Sequence, residues 1–69
     1  AMNQDNFNME IRKYLKKIGI TSQREITNIV NQSISDGKLT GNETLKASAK
    51  IMLHDINFEL EIDGEISLD

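Results

Sequence analysis

From Leu45 onward the apolar residues fall at every second position, whereas before Gly41 they recur every third or fourth. That change of period is the strongest constraint on the chain, because a spacing of two fits a half-buried strand and a spacing of 3.6 fits an amphipathic helix. Leu45, Ala47, Ala49, Ile51 and Leu53 alternate with Lys46, Ser48 and Lys50. Phe58, Leu60 and Ile62 alternate in the same way with Asn57, Glu59, Glu61 and Asp63, and Ile66 and Leu68 stay in phase across Gly64. The two runs predict an antiparallel hairpin with one apolar face. Pairing the apolar sets requires partner numbers that sum to 111, which leaves Asp55-Ile56 as a two-residue turn and sets Lys50 across from Glu61. The second strand is read as continuous to the C-terminus; the competing reading makes Asp63-Gly64-Glu65 a turn into a short third strand.

Two helices are expected ahead of the hairpin. Phe7, Ile11, Tyr14, Leu15 and Ile18 share one stripe of the first, and Gly19 follows as its stop. Arg12, Lys13, Lys16 and Lys17 lie on the other side, where late positive charge favours the helix dipole. Ser22-Gln23-Arg24-Glu25 has the form of a capping box that opens a second helix, with Ile26, Ile29, Val30 and Ile34 on its buried face and Gly37 as its stop. The expected fold is α+β: two N-terminal helices packed on a C-terminal antiparallel hairpin, with Leu60 in the middle of the core.

A chain of 69 residues is one domain, read here as residues 2–69 with Ala1 as a cloning remnant. It buries only ~60% of its unfolded surface. There is no cysteine and one histidine, so neither disulfides nor the usual zinc ligand sets are expected to brace the core. The supplement expected is a second copy of the chain, because an isolated hairpin leaves two open edges and the apolar Ile66 and Leu68 near the C-terminus need cover. No apolar run approaches the ~20 residues of a membrane span, and a cytoplasmic protein is expected.

Charge is divided unevenly. Residues 1–41 carry six basic and four acidic side chains, a net +2, while residues 42–69 carry two basic and seven acidic, a net −5. The basic group Arg12, Lys13, Lys16 and Lys17, together with Ile66 and Leu68, is the expected interaction surface. The net charge of −3 argues against a nucleic-acid partner. The alternative function is nevertheless weak nucleic-acid binding, since Lys16 to Ile34 has the outline of a helix-turn-helix presenting Arg24, Asn28, Asn31 and Gln32.

No catalytic constellation emerges. His54 beside Asp55 has no nucleophile at a useful spacing and reads as an exposed turn residue. Glu59, Glu61, Asp63 and Gly64 echo the start of a calcium loop, but the closing acid would fall beyond Asp69 and the intervening Leu60 and Ile62 belong to a strand. Gly37-Lys38-Leu39-Thr40-Gly41 has the ingredients of a phosphate loop without its spacing. No metal, cofactor or catalytic residue is therefore assigned, and the chain is expected to be a non-enzymatic interaction or assembly module.

Phe7 to Leu15, Gly19 to Ile26, Asp36-Gly37-Lys38, Gly41 to Leu45 and Asp63 to Ile66 together resemble a family of short bacterial proteins of unknown function. The resemblance covers nearly the whole chain. It implies a stand-alone small protein rather than a fragment of an enzyme, and carries no site residues with it.

Overall fold

The computed structural model describes residues 1–69 as one long helix followed by an antiparallel hairpin. Helix α1 spans Gln4–Ser35, strand β1 Thr44–Leu53 and strand β2 Phe58–Ser67, with a short 3-10 turn, His54–Ile56, at the tip. The α+β class stands, but the two expected helices are one.

Gly19 does not end a helix, and Ser22 does not begin one. Glycine in a helix interior costs only ~1 kcal/mol relative to alanine, whereas a break exposes the unpaired amides and carbonyls of two new helix ends. The chain contains no proline, the one residue that would forbid continuation. Glu25 accordingly sits 3.6 Å from Arg24 as an exposed ion pair instead of reaching back to cap Ser22. Lys16 and Lys17 lie in the helix interior, and the true last turn holds no basic side chain. Continuity places Phe7, Ile18 and Ile29 eleven residues apart on one stripe, while Val30 and Ile34 lie roughly 120–160° further around the helix.

Both helix ends are specified locally. Asn3 caps the start by accepting the Asn6 amide at 3.1 Å, and Asp5 supplies negative charge in the first turn. At the other end the Lys38 amide donates to the Ser33 carbonyl at 2.8 Å and the Gly37 amide to the Ile34 carbonyl at 3.1 Å. That pair of bonds is a Schellman motif, with Gly37 at φ 80° where a side chain would be strained.

The strands pair from Thr44 with Ser67 to Leu53 with Phe58, so every partner sum is 111 as the alternation requires. Asp63-Gly64-Glu65 is strand, with Gly64 opposite Ala47, and no third strand forms. The tip is longer than the expected two residues. His54 to Asn57 form a four-residue connection, and Asn57 takes the left-handed φ of 53° that returns the chain to β2. Asn tolerates this conformation better than most residues, which suits it to close a connection one residue longer on each side than expected.

Helix and hairpin do not enclose a core. A 32-residue helix is ~48 Å long, so a molecule of 54 × 20 × 18 Å carries its hairpin alongside the helix rather than beyond its end. Yet no residue of the chain is buried, and the strands are the only elements in extensive close backbone contact. Leu60, expected at mid-core, is 42% exposed.

Candidate interaction surface

The hairpin presents two unlike faces. On one, Leu45, Ala47, Ala49, Ile51 and Leu53 pair with Ile66, Gly64, Ile62, Leu60 and Phe58. On the other, Lys46, Ser48, Lys50 and Met52 pair with Glu65, Asp63, Glu61 and Glu59. The apolar face is only partly covered: Leu45, Ala47, Ile51 and Ile66 are half-buried, whereas Ile62, at mid-strand, is 51% exposed and nothing lies within 4 Å of the position a side chain on Gly64 would occupy. The helix seam is open over much of its length, with Ile29 58% exposed and Phe7, Ile11, Tyr14 and Leu15 exposed as well, while Ile18 is half-buried.

The polar face borders an open depression of about 550 Å³ lined by Lys46, Ser48, Glu61, Asp63 and Glu65 together with Ala47 and Gly64. Its carboxylates alternate along an extended strand and so stand apart rather than closing on a common point. No group of three or more His, Asp or Glu side chains in the chain is arranged to hold a metal ion.

The glycine-flanked loop before β1 is occupied by its own chain. The Glu43 carboxylate accepts the Thr40 amide at 2.8 Å and the Gly41 amide at 2.9 Å, and these bonds hold its carboxyl below the usual carboxylate range. The amides that an anion would need are thus already satisfied. His54 lies in the 3-10 turn at the tip beside Asp55, with the hollow there lined by Met52, Leu53, Asn57, Phe58 and Glu59 and no nucleophile among them.

The residues expected to form one surface are not brought together. Arg12, Lys13, Lys16 and Lys17 lie exposed in the first half of α1, ~27 to 35 Å along the axis from its C-terminal end. Ile66 and Leu68 lie at the hairpin base, where the Leu68 amide donates to the Glu43 carbonyl at 2.9 Å, and both are half-buried. The more exposed apolar residues are Leu53, Phe58, Leu60 and Ile62 toward the tip. Their alternation was legible, but alternation assigns a face without saying what covers it. The helix-turn-helix outline disappears with the continuous helix: Arg24, Asn28, Asn31 and Gln32 lie on the same rod as Lys16, with no turn between them.

The chain contains no helix long and apolar enough to cross a membrane. No curated protein and no solved structure matches the chain. A family model does match, over residues 2–69, and the chain therefore belongs to the Family of unknown function (DUF6494).

Proposed function

We propose that this protein is a non-enzymatic interaction and assembly module of the cytoplasm, and that it works as a homo-oligomer. The observation that carries the reading is the absence of any buried residue in a chain with two regular amphipathic elements. A folded 7.8 kDa chain exposes ~4,400 Å² when compact. This one exposes 6243 Å². Its radius of gyration, 16.3 Å, likewise exceeds the ~11 Å of a compact chain of this length. Surface left open on this scale, with Ile29, Leu53 and Ile62 about half exposed on it, marks an association site.

Sedimentation equilibrium at micromolar concentration tests the reading. A mass of twice 7.8 kDa, or a higher multiple, is expected. A mass of 7.8 kDa at all concentrations overturns it.

A further inference from the structure

We propose that the assembled unit is a two-fold dimer in which the α1 seam of each copy, centred on Ile18, lies on the apolar hairpin face of the other, centred on Ala49 and Ile62. This inference rests on the self-association proposed above and specifies its geometry.

Four observations converge on a second copy as the occupant. The surface excess over a compact chain is ~1,800 Å² per copy, so two copies hiding each other's excess bury ~3,700 Å², within the 2,000–5,000 Å² range of obligate dimers. The chain's own helix does not fill the hairpin face, since Ile62 is half exposed and the notch at Gly64 opposite Ala47 is empty. The lengths match: the seam from Phe7 to Ile29 is ~33 Å long, and so is a strand of ten residues. Ile18 is equidistant from the seam's ends, eleven residues each way, just as the Ala49–Ile62 pair lies at the middle of the ladder.

Net charge favours this pairing over hairpin against hairpin, with the charged side chains themselves on the faces turned away from the contact. Hairpin against hairpin would bring together two segments of −5, whereas helix against hairpin opposes +2 to −5 twice in one dimer. Helix against helix alone would leave both hairpin faces open. The contact is isologous, because each copy contributes one seam and one sheet face, which closes the assembly at two.

Disulfide trapping tests the geometry in a chain that has no cysteine of its own. Ile18→Cys protein is mixed with isotopically labelled Ile62→Cys protein, denatured and refolded together, and oxidised mildly; the products are weighed. Met9→Cys, on the opposite side of α1, is the control, and Ala49→Cys replaces Ile62→Cys should the latter fold poorly by circular dichroism. The expected result is a mixed disulfide from Ile18→Cys with Ile62→Cys or Ala49→Cys in at least several-fold excess over that from Met9→Cys. Equal yields from positions 18 and 9, or a predominance of 18–18 or 62–62 products, overturn this arrangement while leaving self-association standing. A monomeric mass in sedimentation removes both.

Discussion

Lys50 lies directly across the ladder from Glu61, yet its ammonium sits 3.5 Å from the carboxylate of Glu59, the next acid on the same face toward the tip. The twist of a two-stranded ribbon carries a long side chain onto the diagonal neighbour, so the partner in register is not the partner in charge. Both side chains are more than half exposed. Lys50→Ala or Glu59→Ala is therefore expected to cost less than about 1 kcal/mol, and a double-mutant cycle by urea denaturation should give a coupling that shrinks as salt is raised. A coupling to Glu61 larger than that to Glu59 would contradict the diagonal pair.

Gly19→Ala distinguishes one helix from two. The position has open space around it and lies outside the left-handed region, so a methyl group meets nothing and removes backbone freedom from the unfolded chain. Stabilisation of about 0.5–1 kcal/mol is expected in chemical denaturation. Were Gly19 a helix stop with positive φ, the same change would destabilise.

Gly37→Ala should act in the opposite direction. Its φ of 80° belongs to the Schellman stop, where a Cβ is strained by about 1–2 kcal/mol. The melt of Gly37→Ala is expected below that of the wild type, with loss of amide protection at Lys38, whose N–H bonds Ser33.

Glu43 makes the loop sensitive to acid. Its carboxyl is held low chiefly by the bond from the Thr40 amide and next by that from Gly41. A depressed folded value means a stabilising contribution that is present above the ordinary carboxylate range and is lost as pH falls through the lowered folded value. In an acid titration followed by NMR, the Thr40 and Gly41 amide shifts should move together, at a pH below that of free glutamate. Glu43→Gln should abolish that transition; amides that still titrate would show another group to be responsible.

Unfolding of a dimer couples to concentration. The melting temperature of the wild type is expected to rise on tenfold concentration, since association stabilises by mass action. Leu60→Asp places a charge on the open apolar face and should remove the rise along with the doubled mass. A melt independent of concentration in the wild type would point to a monomer.

The ladder from Thr44–Ser67 to Leu53–Phe58 was readable from the residues alone, because a one-residue slip would turn every apolar side chain to the wrong face. The stop at Gly37 was readable for a similar reason: a glycine beyond the last apolar position satisfies a geometry few other residues accept. Gly19 and Ser22 carry the same kinds of signal, but each is a local preference of about 1 kcal/mol. Against them stood the hydrogen bonds of an uninterrupted helix and the repeat that aligns Phe7, Ile18 and Ile29, and these weigh more only when the whole length from Gln4 to Ser35 is taken together. The tip differs for a similar reason, since Asn57 closes a longer connection in a left-handed conformation that alternation cannot see. What the tertiary structure alone decided is that the apolar faces stay partly open. Periodicity names the side of an element that must leave water, and it does so equally well whether the cover comes from the same chain or from another. Only the placement of α1 beside the hairpin without enclosing it, with Ile62 and Gly64 uncovered, shows that this chain supplies only part of the cover itself.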